Sequence, residues 1–116
     1  MEDFLAVTPY EVEVLTLLVE REFVNIRLME KMDGKSSTGY RWNVDEIHYM
    51  LTSDTSPYVN FINIDGKHTK CLKLSVAQLV ILSIMIDDVM EDFDETPQVL
   101  ADLKEKIQEL QKLKCP

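Results

Sequence analysis

Tyr58-Val59-Asn60-Phe61-Ile62-Asn63-Ile64-Asp65-Gly66, continuing through Thr69-Lys70-Cys71-Leu72-Lys73-Leu74 into Ser75-Val76-Ala77-Gln78, passes from a strand composition to a helix start with no loop between them. The first part is rich in aromatic and β-branched residues, which suit a pleated, half-buried backbone. Val59, Phe61 and Ile64 alternate imperfectly with polar positions. Asp65-Gly66 is a strong hairpin signal, because a two-residue turn of this kind needs positive φ at both central positions. The return strand is read from Thr69 to Leu74, with Cys71 and Lys73 on one face and Leu72 and Leu74 on the other. His68 then falls in the turn. Ser75 and Gln78 have the spacing of a capping box, in which each side chain satisfies the other's backbone N–H. An unusually apolar helix is predicted from there to about Met90.

The same start signal recurs upstream. Thr8 can cap, Pro9 suits a first helical position and Glu11 completes a box. Val12, Leu15, Val19, Phe23 and Ile26, widened by Leu18 and Met29, then follow a helical period to about Met32. Asp33-Gly34 reads as the stop, and Lys35 to Gly39 as a loop by composition. A box at Asn43-Val44-Asp45-Glu46 opens a shorter helix through Ile47, Met50 and Leu51, which Asp54 to Pro57 ends. Thr96-Pro97 opens a last amphipathic helix carrying Val99, Leu100, Leu103, Ile107 and Leu110. The fold class is therefore α+β, with about four helices and one antiparallel hairpin in a single domain over residues 1–116. A weak internal repeat of 4–51 and 71–113 is weighed against the plain resemblance of any two capped amphipathic helices, since Leu5 to Glu11 lies over Leu72 to Gln78 at a constant offset. If the repeat is real, Phe4 to Val7 forms a third strand beside the hairpin.

With 46% apolar and 28% charged residues, the composition is that of a globular chain rather than a disordered one. The run Val76 to Ile86 is far shorter than the roughly 20 residues a bilayer requires. The acidic start Met1-Glu2-Asp3 is unlike a signal peptide, so a cytoplasmic chain with no membrane partner is expected. Cys71 and Cys115 are too few and too far apart for a zinc site or a disulfide framework, and both are read as free. The formal charge is −9, and the excess lies in two blocks: residues 1–30 and residues 75–95, the second with six acids and no base. Direct nucleic-acid binding is not expected, because phosphate contacts are made by Lys and Arg.

The second block holds Asp87, Asp88, Glu91, Asp92, Asp94 and Glu95. Like charges four apart, at a helix C-terminus, disfavour the helix locally. Such a run suits recognition of a protein partner with a basic surface, where opposite charge speeds association. Mimicry of a phosphate backbone and hard-cation binding are weighed beside it, as is a solvated turn. The run has no glycine, so the EF-hand pattern is missing, and no metal or other cofactor is assigned. A second candidate is a ligand pocket built from Tyr40, Arg41, Trp42 and Tyr49, residue types common at binding hot spots. Trp42 stapling its loop onto the next helix is the plain structural reading. Lys35-Ser36-Ser37 after Gly34 fails the Walker pattern, because Met29 stands where a glycine is required. His48 and His68 have no nucleophile motif beside them, so no catalytic residue is assigned.

The sequence therefore points to a non-enzymatic inhibitor or neutraliser of a basic protein, of the immunity, antitoxin or viral anti-defence type. A small-ligand binder using the aromatic and basic middle segment is the alternative. The apolar third long helix (Leu79, Val80, Ile81, Leu82, Ile84, Met85 and Ile86) is expected to exceed what a small core covers and to form a homodimer.

Overall fold

A computed structural model describes residues 4–33 and 38–114. Gly34 to Ser37, Cys115 and the acidic first three residues, on which some of the expectations above bear, lie outside the described residues. The elements run β1 (Phe4–Val7), α1 (Pro9–Asp33), α2 (Thr38–Thr52), β2 (Val59–Ile64), β3 (Lys67–Lys73), α3 (Val76–Met90) and α4 (Gln98–Lys114). Four helices and a three-stranded antiparallel sheet make an α+β fold, with β3 in the centre of the order β1-β3-β2.

Asp65 and Gly66 take φ of 51° and 77°, the positive pair that a tight hairpin turn demands. Because the turn uses only these two residues, pairing resumes at once. Lys67 faces Ile64, and His68 faces Asn63. The return strand thus starts at Lys67 rather than Thr69, and His68 lies in the strand, stacked on Phe61 at 4.9 Å between ring centroids. Central placement also explains why Cys71 and Leu72 are both buried although they point to opposite faces.

Phe4 to Val7 pairs with β3, with Leu5 opposite Leu72, Phe4 opposite Lys73 and Ala6 opposite Cys71. The capping boxes expected at Thr8 and Ser75 form. Thr8 and Glu11 exchange bonds of 2.9 and 3.2 Å, and Ser75 and Gln78 bonds of 2.9 and 3.1 Å. Burial follows the same offset: Leu15 and Leu82, and Val19 and Ile86, are all fully enclosed.

The core joins these residues to Val44, Ile47 and Met50 of α2 and to Leu103 and Ile107 of α4. Helix α1 packs on α2, and α3 on α4. Lysines fasten the elements at their ends. Lys70, on the central strand, is buried and donates to the carbonyls of Leu51 and Ser53 at 3.0 and 3.2 Å, closing the C-terminus of α2. Lys106 of α4 donates to Ala6 O at 3.1 Å and to Glu11 Oε1 at 2.7 Å, tying α4 to β1 and to the first turn of α1. Lys114 donates to the Leu74 carbonyl at the exit from β3.

A helix start differs from its expected position as well. Helix α2 begins at Thr38, so Asn43 does not cap it but sits inside, with its side-chain amide donating to Gly39 O at 3.2 Å. The reason is tertiary. Tyr40 packs against the core from this first turn and donates its hydroxyl to Glu22 Oε1 on α1 at 2.9 Å. Those contacts outweigh the propensity cost of Gly39, about 1 kcal/mol.

Candidate functional site

The acidic run splits at the end of α3. Asp87 and Asp88 are in the last helical turns, and Met90 is the final helical residue. The chain then tightens: Glu91 N–H donates to Asp87 O, Asp92 N–H to Val89 O and Phe93 N–H to Met90 O, at 3.0 to 3.2 Å. Asp92 is therefore outside the helix, and the like-charge pair with Asp88 is not held at helical spacing. Asp94 and Glu95 precede α4, whose first turn is joined by Leu100 and Ala101 donating to Pro97 O.

Two of the six carboxylates have cations within the chain. Asp87 pairs with Lys104 of α4, and Asp92 pairs with Arg21 of α1 at 3.4 Å, both Arg21 and Asp92 being exposed. Among the described residues no cation lies within ion-pair reach of Asp88, Glu91, Asp94 or Glu95, and all four are exposed. Phe93, in their midst, is 49% exposed. Phe93 thus stands among these acids in the sequence and, like them, is exposed. The sequence reading included this run but passed over Phe93, since an aromatic between acids carries no motif.

The aromatic and basic set is not gathered into one pocket. Tyr40 faces inward. Burial, the Glu22 hydrogen bond and charge, and the Asp88 charge all push its phenol well above the usual tyrosine range. Arg41 pairs with Glu30 at 3.0 Å on α1. Trp42 is 70% exposed, and most of the loop that it is expected to staple lies outside the described residues. It shares the outer side of α2 with Tyr49, seven residues on and also exposed, whose phenol the Ser53 and Thr55 hydroxyls lower. Their backbone positions lie about 10 Å apart along the helix axis.

One groove lies elsewhere. A cavity of about 470 Å³ opens between β1, the hairpin tip and α4, with Phe4, Ile64, Leu110 and Leu113 as its apolar lining and Lys67 and Glu109 among its polar residues. None of the candidate residues named from sequence lines it. His48 meets Phe23 edge-on at 5.2 Å, and His68 stacks on Phe61, so both histidines pack on aromatic rings. Cys71 is a free, enclosed thiol, and burial pushes its pKa up, which makes it a poor nucleophile. Among the described residues no helix is long and apolar enough to cross a membrane.

The apolar third long helix, now α3, encloses Leu79, Ile81, Leu82, Met85 and Ile86 and leaves Val76, Val80 and Ile84 exposed. A larger apolar face is on α1, where Tyr10, Leu17, Val24, Leu28 and Met32 are exposed, and Met29 with them rather than in the core. Its signal in the sequence is the seven-residue spacing of Tyr10, Leu17 and Val24, which the stronger inward stripe on the same helix obscures.

Comparison of the chain with protein-family models, with curated proteins and with solved structures yields no match.

Proposed function

We propose that the chain is a non-enzymatic binding protein that neutralises a protein partner by setting its acidic turn against a basic surface. Immunity proteins, antitoxins and viral anti-defence factors work in this way, an analogy of class alone. The observation that supports the reading is the turn from Asp88 to Glu95. Four exposed carboxylates there have no ion-pair partner among the described residues, and the exposed Phe93 lies between them in the sequence. Desolvating a charge is tolerable when the partner supplies the opposite charge, and an aromatic anchor within a polar rim gives the contact its affinity. Self-association belongs to the same reading, because a homodimer presents the acidic turn twice and gains by avidity.

The test is kinetic. With the partner captured and purified, changing Asp88, Glu91, Asp94 and Glu95 to their amides is expected to slow association about tenfold at low salt and to flatten its salt dependence. Phe93→Ala is expected to speed dissociation instead. The alternative, a small-ligand binder using the aromatic segment, gives the opposite pattern: no effect from the amides, and loss from Trp42→Ala or Arg41→Ala. An unchanged association rate and salt slope in the amide variant would remove the acidic turn from the function.

A further inference from the structure

Helix α1 runs 25 residues, longer than the core beneath it. From Val24 to Met32 only Ile26 is buried, while Leu28, Met29 and Met32 stand in solvent at 54%, 55% and 84% exposure. Together with Tyr10, Leu17 and Val24, Leu28 and Met32 continue one stripe along the outer side of the helix. Successive members are seven or four residues apart, and a step of seven returns within about 20° of the same direction. Arg21 lies in the stripe, and its guanidinium is turned aside to Asp92. Its aliphatic stem is therefore free to lie over apolar neighbours.

The charges beside this stripe are ordered. Glu13, Glu20 and Arg27 follow at seven-residue spacing along one flank, and Lys31 comes four residues later. All four are exposed, and none forms an ion pair with another described residue. The flank thus reads acid, acid, base, base from N- to C-terminus. Its complement reads base, base, acid, acid, which is the same flank in the reverse direction.

We propose that this face of α1 is an interface with a second copy of the chain, the two α1 helices packing antiparallel about a two-fold axis. In the register that sets Leu17 opposite Leu28 of the second copy, Arg21 falls opposite Val24. The same register brings Glu20 beside Arg27 and Glu13 beside Lys31, each pair twice. A two-fold contact must be self-complementary, and this arrangement meets that condition in both shape and charge. Parallel packing sets this flank against the opposite flank of the partner helix, so these four charges do not meet one another. The exposed face of α3 lacks the property, since that helix carries Asp87 and Asp88 and no base. A helix pair of this length buries an area near the lower end of stable interfaces, so the dimer forms at micromolar concentrations, with a dissociation constant of roughly 1–100 µM. The inference is independent of the acidic turn's partner, because it concerns the isolated chain.

Sedimentation velocity on the purified chain over a dilution series reads it directly. The wild type is expected to pass from dimer to monomer across that range. Leu17→Asp and Leu28→Asp are each expected to weaken the dimer about 100-fold, with an unchanged melting profile because both positions are exposed. Glu20→Lys and Arg27→Glu are each expected to weaken it about tenfold. Mixing these two single variants in equal amounts restores assembly, as does combining both changes in one chain, since each cross-pair is then again opposite in sign. A wild type that stays monomeric at about 500 µM, far above that range, overturns the proposal. So does a dimer that Ile84→Asp dissolves while Leu17→Asp leaves it intact, or a charge-reversed mixture that gains nothing over the single variants.

Discussion

Lys70 occupies the position in which a central strand normally carries an apolar side chain. Its side chain is 7% exposed, and its ammonium is held by two carbonyls at the end of α2, with Asp54 at 3.6 Å and the Phe61 ring centroid at 5.9 Å. Helix C-termini leave carbonyls without partners, and a cation there satisfies them and complements the helix dipole. Replacing Lys70 with Met preserves the stem and removes the donors. Leu51 O and Ser53 O then lose their partner, at a cost of about 1–3 kcal/mol. Chemical denaturation is the measurement. Lys73→Met, at an exposed site on the same strand, is expected to stay within about 0.5 kcal/mol. Equal, small effects from both substitutions would mean that water caps α2 as well as the lysine does. Nothing in the sequence around Lys70 distinguishes it from Lys73, because the helix end it closes lies 19 positions upstream.

At the scale of elements, what the sequence revealed depended on how local each signal was. The boxes at Thr8 and Ser75, the turn at Asp65-Gly66 and the two long helices are encoded within a few residues, and all of them form as expected. The start of α2 is not local: it follows from Tyr40 reaching Glu22 on another helix, so the better-looking box at Asn43 misled. The acidic run was evident from composition, while its division between two helix ends was not. That division makes a prediction. Asp88 and Glu91 lie in the last turn and cap of α3, where the dipole is unfavourable to negative charge. Asp94 and Glu95 precede the N-terminus of α4, where it is favourable. Asp88→Asn with Glu91→Gln is therefore expected to raise stability by about 0.3–1 kcal/mol, and Asp94→Asn with Glu95→Gln to lower it by a similar amount. Thermal melts of the two double variants decide it, and a shift of the same sign in both would show that the dipole is not the controlling term.

Over the whole molecule, charge is segregated by depth as well as by sequence. Of the 12 bases, Lys70, Lys104, Lys106 and Lys114 reach inward to carbonyls or to acids on other elements, and Arg21 and Arg41 are taken up in ion pairs. The surface that remains is dominated by carboxylates, and a net charge of −9 opposes compaction by self-repulsion. Two effects of salt then compete. Screening weakens the ion pairs, which lowers stability, and it weakens the repulsion among unpaired acids, which raises it. The best-covered pairs each have one enclosed partner: Glu11, held by Lys106, and Lys70, beside Asp54, have side chains 7% exposed, while Lys106 and Asp54 are 39% and 80% exposed. Buried pairs are screened much less than exposed charges separated by more than the Debye length, about 10 Å at 0.1 M. Repulsion therefore dominates the salt response. Stability by denaturation at fixed pH is expected to rise as sodium chloride increases from about 0.01 M to about 0.3 M, by roughly 1 kcal/mol, and then to level off as the Debye length shrinks below typical charge separations. The Asp88→Asn, Glu91→Gln variant is expected to start higher and rise less. Because addition of salt also strengthens an apolar dimer contact, the series belongs on the monomeric Leu17→Asp chain, where only the fold is measured. A steady fall in stability with salt would mean instead that the lysine pairs, not the crowd of free carboxylates, govern how this molecule responds to its ionic surroundings.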